Sequence, residues 1–212
     1  MIRAGQEFVN RSRTSIFVES SRMLSPSEIR SKLAVTWAGV NPDWEVGHGL
    51  RDAAVVAPLL WRDGALCLVF TLRRPDLEHH AGEISFPGGR READESPVAC
   101  AVREFEEEIG VPSAALEICG ALKPRTSIAR YRVQPFVGLL VEAPTFVPQA
   151  TEVSEVLEIP VAQLADPNLW EERDLKREGG IRYSVPFFEF QGRTLWGLTA
   201  RFTLDLIARA GL

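Results

Sequence analysis

Two neighbouring stretches, Ala53 to Trp61 and Ala65 to Leu72, are nearly unbroken runs of apolar residues parted by Arg62-Asp63-Gly64. Runs of this length around a turn signal predict strands, and an Asp-Gly pair readily takes the positive φ angles of a tight hairpin. A central β-hairpin is therefore expected. Ala115 to Leu122, Tyr131 to Val141 and Val185 to Phe190 read as further strands. Over Ser96 to Ile109 and Leu195 to Ala210 the apolar residues recur at helical intervals, which predicts two helices. A shorter helix is expected from Ser25-Pro26-Ser27, because serine caps free backbone amides and proline suits the first helical position. Ile29, Leu33 and Trp37 then follow at helical spacing. Strands mixed with few helices predict an α+β arrangement in layers.

Residues 1–24 mix charge, serine and isolated apolar side chains without a period, so they read as an N-terminal arm, with 25–212 as one domain. Pro144 to Pro148 and Glu178 to Gly180 read as loops within it, and no internal repeat is present. With 212 residues, 45% hydrophobic and 25% charged, the chain suffices for one sizeable core.

The net charge of -5 disfavours a protein that coats nucleic acid, so any cationic site must be local. Cys67, Cys100 and Cys119 lack metal-finger or redox-motif spacing and suit a reducing cytoplasm. No apolar run approaches the roughly 18 to 20 residues of a membrane helix, and Arg3, Glu7, Arg11 and Arg13 interrupt any signal-peptide core. A soluble, unexported, cytoplasmic protein is the expectation.

The informative chemistry lies between Gly88-Gly89 and Val111. Ser96 and Pro97 start a helix, and Gly110 stands where a left-handed residue would end it. At about 100° per residue, Val98, Val102, Phe105 and Ile109 are expected on a packed face, with Glu104, Glu107 and Glu108 on the opposite, acidic one. Like-charged neighbours on a helix cost a few tenths of a kcal/mol per pair even when exposed, so a cation would relieve them. Carboxylate oxygens suit Mg2+ or Mn2+, which bind phosphate oxygens and activate water. An isolated E-x-x-E-E string is more often a plain solvated helix face.

Here the string is embedded in a longer pattern that resembles the Nudix box, G-x5-E-x7-R-E-U-x-E-E-x-G-U with U apolar. All nine fixed positions match: Gly89, Glu95, Arg103, Glu104, Phe105, Glu107, Glu108, Gly110 and Val111. The resemblance implies the Nudix fold, an α/β/α sandwich around a mixed β-sheet, from about Arg51 onward. It also implies Glu104, Glu107 and Glu108 as metal ligands, with a Gly88 or Gly89 carbonyl completing the site. Arg103, helped by Glu95, would orient the glutamates. Glu104 is one candidate for the base that deprotonates water; Glu152 and Glu155 are its rivals.

The segment before the box is similar to the coenzyme A pyrophosphatase motif, L-L-T-x-R-[SA]-x3-R-x3-G-x3-F-P-G-G, retained at Thr71, Arg73, Gly82 and Phe86 to Gly89. Arg74 replaces the small residue, and Glu78 stands at the second arginine, whose charge Arg74, His79 or His80 would have to supply. Val133 to Gly138 and Trp196 to Arg201 are also similar to that subfamily. The resemblance implies cleavage of coenzyme A or its derivatives to 3',5'-ADP and 4'-phosphopantetheine, with Arg73, Phe86 and Gly88 contacting substrate. Arg125 and Arg130 are further phosphate candidates but read more readily as surface arginines, Trp196 reads as a core anchor on the final helix, and His79 and His80 as loop residues.

The same metal helix would equally serve ADP-ribose, a dinucleotide or an oxidised nucleotide. A non-catalytic nucleotide-binding module is the third alternative, although such modules commonly lose box glutamates. Symmetric pairs are frequent among soluble proteins, which makes a homodimer the default assembly.

Overall fold

The computed structural model describes residues 24–34, 43–45, 49–77, 81–176 and 182–212. Trp37, Glu78, His79, His80 and Glu178 to Gly180, together with nearly all of the N-terminal arm, lie outside the described residues. The two long apolar runs form β1 (Arg51–Arg62) and β2 (Ala65–Arg73), paired antiparallel with Arg62 opposite Ala65. Asp63 and Gly64 make the turn at φ 50° and 81°, the positive values that the Asp-Gly pair predicts.

β1 is central because it also pairs in parallel with β7 (Tyr131–Leu140), which makes the sheet mixed. Outward from β2 lies β3 (Ile84–Ser85), and outward from β7 lies β5 (Leu116–Ala121). β4 (Gly88–Arg90), β6 (Arg125–Thr126) and β8 (Val153–Pro160) attach to β1, β7 and β2 respectively. A separate antiparallel sheet has β10 (Arg182–Phe190) between β9 (Trp170–Lys176) and β11 (Arg193–Trp196).

The central strands are apolar on both faces because both faces are covered. Ala54, Val56 and Leu60 of β1 pack with Phe136 of β7 against Ala101 and Phe105 of α2 (Pro97–Ile109). On the other face Leu59, Phe70 and Val137 meet Ile29 and Leu33 of α1 (Pro26–Ala34), Leu164 of α3 (Val161–Leu164), and Phe202 and Leu206 of α4 (Gly197–Ala210). The expected α/β/α layering is thus present. Ser25 starts α1 reciprocally with Glu28: the Glu28 amide donates to the serine hydroxyl at 3.3 Å, and the Ser25 amide donates to the Glu28 carboxylate at 2.8 Å.

One expected boundary moves and two strands are added. The last helix begins at Gly197, because Leu195 and Trp196 pair with Phe188 and Phe187 in β11. The Gln191-Gly192 turn, at φ 51° and 76°, joins β10 to β11. β8 and β9 are strands that periodicity did not suggest: β8 buries Val153, Leu157 and Ile159 among polar residues, and β9 reads Trp-Glu-Glu-Arg-Asp-Leu-Lys and is held by its pairing with β10. Among the described residues no helix is long and apolar enough to cross a membrane.

Candidate active site

α2 begins and ends where its sequence indicates. Ser96 accepts the Ala99 amide at 3.2 Å, Pro97 occupies the first turn, and Gly110 ends the helix at φ 67°. Its packed face is rotated from the expected one, however. Pro97, Cys100, Ala101, Phe105, Glu108 and Ile109 are buried, whereas Val98 and Val102 are only half-buried. Small side chains at Cys100 and Ala101 let the helix approach the sheet closely, which turns Glu108 inward. Glu108 is therefore not on an exposed acidic face.

The Gly88-Gly89 strand is what Glu108 meets. The Gly88 amide, whose residue the motif resemblance assigns to substrate, donates to Glu108 Oε2 at 3.2 Å. A Cβ on Gly88 would fall 2.4 Å from the Ala54 carbonyl oxygen, and one on Gly89 would fall 2.3 Å from the Glu104 carboxylate. Both glycines are needed for this close approach of strand and helix. Phe86, also expected to touch substrate, is instead 2% exposed and stacked on Phe70 with ring centroids 4.7 Å apart. It anchors the strand from within the core.

Arg103 ties the acidic groups together. Its Nε and Nη2 donate to both oxygens of Glu95 at 3.1 and 3.0 Å, and its Nη1 donates to Glu104 at 3.0 Å and Glu107 at 3.1 Å. A further bond runs from Nη2 to the Arg90 carbonyl at 3.1 Å. The forked guanidinium thus meets three carboxylates, a task one ammonium point charge fits poorly. Hydrogen bonding to Arg103 draws the Glu95 carboxyl down to about 2. The Arg103 guanidinium is correspondingly raised by Glu95.

The other acids respond to burial. Removal from water pushes Glu108 up to about 8, with the Gly88 amide and Arg73 opposing and Glu104 and Glu152 reinforcing the rise. Glu104 is raised for the same first reason, against the pull of Arg103. Arg73, from the end of β2, stands 3.9 Å from Glu108 and 4.0 Å from Glu152, and its buried Nε–H has no acceptor. Glu152 arrives on the segment after β7, which is fastened to the end of α2: the Val147 amide donates to the Ile109 carbonyl and the Gln149 amide to that of Glu108, each at 2.9 Å. Glu155 instead pairs with Arg193 of β11. Of the two rival bases on this segment, Glu152 faces the acidic cluster.

Beyond Arg73 opens a cleft of about 620 Å³, walled by the end of β2, Ala81 to Glu83, the start of β8 and the β10–β11 hairpin. Trp196 is half-buried on this wall at the end of β11, not a core anchor on the final helix. Arg193 is a second cleft cation that the sequence did not single out, since nothing but its nearness to Trp196 marks it. Arg125 is paired with Asp205 at 2.7 Å, Arg130 sits in an exposed turn at φ 62°, and neither lines the cleft. Arg74 is held by both oxygens of Asp76 and by the Ala150 carbonyl and does not line the cleft.

The donor set fits a hard divalent cation in kind: carboxylates graded from buried Glu108 to exposed Glu107 on one helix, with glycine backbone beside them. Among the described residues no three acidic, histidine or cysteine side chains converge tightly on one point. Arg103 draws Glu104 and Glu107 together onto its own Nη1, and Glu107 is 53% exposed.

A mixed sheet between helices, with a glycine strand pressed on an arginine-bridged acidic helix, defines a Nudix architecture. The NUDIX domain model matches residues 50–178, and the chain belongs to this family. It is 35% identical over 163 residues, 76% of this chain and 81% of the relative, to an uncharacterized Nudix hydrolase NudL of Yersinia pestis (strain Pestoides F), and equally to one of Yersinia pseudotuberculosis serotype O:1b (strain IP 31758). The fold is shared with a MutT/nudix family protein from Enterococcus faecalis, with a TM-score of 0.51 and 16% identity over 90% of this chain and 71% of that one.

Proposed function

We propose that this Nudix hydrolase cleaves the diphosphate linkage of coenzyme A or its derivatives with a divalent metal. The observation that carries the reading is Arg73. It matches the arginine of the coenzyme A pyrophosphatase motif, lines the cleft, and stands 3.9 Å from Glu108 with its buried Nε–H lacking an acceptor. In this reading Glu104, Glu107, Glu108 and the Gly89 carbonyl hold Mg2+ or Mn2+. When bound, the ion would neutralise diphosphate charge and lower the pKa of attacking water. Arg103 and Glu95 are positioning residues, and Arg73 binds a phosphate oxygen through charge-assisted hydrogen bonds.

Water oxygen joins one phosphorus while that atom's bond to the bridging oxygen breaks. A carboxylate takes the water proton, and the departing phosphate leaves with the bridging oxygen. Glu152 is favoured as the proton acceptor by its exposure and its place across Arg73 from Glu108, with Glu104 as the alternative. The products would be 3',5'-ADP and 4'-phosphopantetheine. A reducing cytoplasm suits the three free cysteines.

A second substrate class, ADP-ribose or another nucleoside diphosphate derivative, is favoured by one observation: Arg74, bonded to Asp76 and the Ala150 carbonyl, does not line the cleft where the motif's second arginine would act. Chromatography of coenzyme A, ADP-ribose and a dinucleotide after incubation with the protein and Mg2+ or Mn2+ separates the classes. Highest kcat/KM for coenzyme A, with release of 3',5'-ADP, is expected; higher kcat/KM for ADP-ribose would move the specificity.

A further inference from the structure

The cleft beyond Arg73 has its own recognition chemistry, to which the second sheet contributes and no part of the Nudix box does. The residues that line it include two arginines, Arg73 and Arg193, and one large aromatic residue, Trp196. Trp196 is stacked at 12° on Phe187 with centroids 5.6 Å apart, so one indole face is supported while the residue still borders the cleft. Its backbone is fixed as well, because Trp196 pairs with Phe187 across β10 and β11. A rigid, backed indole at the rim of a polar cleft has the features of a stacking platform for a planar base.

Arg193 stands three residues earlier on the same strand, where Glu155 holds its guanidinium by an ion pair at the cleft wall. A phosphate dianion carries more charge than the Glu155 carboxylate and competes with it for the guanidinium. With Arg73 and Arg193 both lining it, the cleft offers two cations for phosphate groups beside a candidate base platform. The flexible, uncharged pantetheine arm has no use for a second cation.

We propose that this cleft binds the adenosine end of the substrate, with the base on Trp196 and the 3'-phosphate on Arg193, so that the β10–β11 hairpin is the specificity element. This deepens the coenzyme A reading and rests on it for the choice of ligand. It makes Arg193 and Trp196 binding residues for a group remote from the broken bond.

Binding, not turnover, tests the assignment. Isothermal titration of the full chain, without metal, would compare adenosine 3',5'-bisphosphate with 5'-AMP. One charge-assisted phosphate contact predicts a preference of about 10-fold or more for the bisphosphate. Arg193→Ala is expected to bring that ratio close to one, Arg193→Lys to retain part of it, and Trp196→Leu to weaken both ligands by about 10-fold. Circular dichroism verifies that each variant is folded. Equal affinity of the wild type for the two ligands, binding of neither, or a ratio unchanged in folded Arg193→Ala would overturn the proposal. If coenzyme A is not hydrolysed although the Arg193-dependent ratio is present, the reaction assignment fails and the cleft assignment stands; hydrolysis without the ratio sinks only the cleft.

Discussion

The carboxylate of Glu108 lies buried beneath the glycine strand and accepts the Gly88 amide at 3.2 Å. One amide offsets only part of the cost of removing a carboxylate from water, and the neighbouring Glu104 and Glu152 add to that cost. Glu108 thus weakens the metal-free fold in the place where the proposed function needs an anion. Glu108→Gln keeps an acceptor for Gly88 and removes the charge. It should raise the Tm of chelator-treated protein near pH 8 by about 5 °C and abolish metal-dependent turnover. An unchanged or lower Tm in differential scanning calorimetry would contradict this account of Glu108.

Gly88 and Gly89 should respond differently to alanine. At Gly88 the new methyl meets the Ala54 carbonyl oxygen at 2.4 Å, a backbone atom that cannot yield, and the loss of stability should be about 3 kcal/mol. At Gly89 it meets the Glu104 carboxylate at 2.3 Å, the movable end of a side chain. Gly89→Ala should cost about 1 kcal/mol and far more in kcat. Urea unfolding with parallel rate measurements checks both; equal destabilisation by the two substitutions would count against the geometry.

The two glutamates of the Thr151 to Glu155 segment separate by kinetics. Glu152 faces Arg73 and the acidic cluster, whereas Glu155 pairs with Arg193 in the cleft. Glu152→Gln is expected to lower kcat by about 10²-fold or more, as loss of a general base does. Glu155→Gln should act chiefly on KM. A large kcat loss from Glu155→Gln with little from Glu152→Gln would reverse the assignment.

Much of this arrangement was legible in the sequence because local rules and tertiary packing agree. The hairpin at Asp63-Gly64, the capped helix from Ser96 to Gly110 and the doubly buried strands all carry signals in consecutive residues. The inward turn of Glu108 was not legible. Helical periodicity assigns a glutamate to the wet face, and only the close fit of Cys100 and Ala101 to the sheet shows otherwise. β9 escaped for a related reason: a strand held by pairing to β10, with largely polar side chains, has no hydrophobic period to read. Arg193 joins Arg73 only because the second sheet borders the same cleft as the end of β2, a contact between strands far apart in sequence.

The Glu95–Arg103 pair gives a pH dependence of defined sign. Arg103 depresses the Glu95 carboxyl from 4.5 in the unfolded chain to about 2, so its contribution to stability is present above 4.5 and lost as pH falls through about 2. Glu95→Gln should be less stable than the wild type near neutrality, and the difference should shrink between pH 4.5 and 2. Thermal unfolding across that range reads it directly, and a difference independent of pH would argue against the ion pair as its source.

The most direct test of the central claim is the rate of coenzyme A cleavage during Mn2+ or Mg2+ titration of chelator-treated protein, beside Glu107→Gln. The account predicts no turnover without metal, saturable recovery on adding it, and a loss of about 10²-fold or more in the folded Glu107→Gln protein. Turnover that persists in the chelator, or a Glu107→Gln variant as active as the wild type, would contradict metal-dependent diphosphate cleavage at this glutamate cluster.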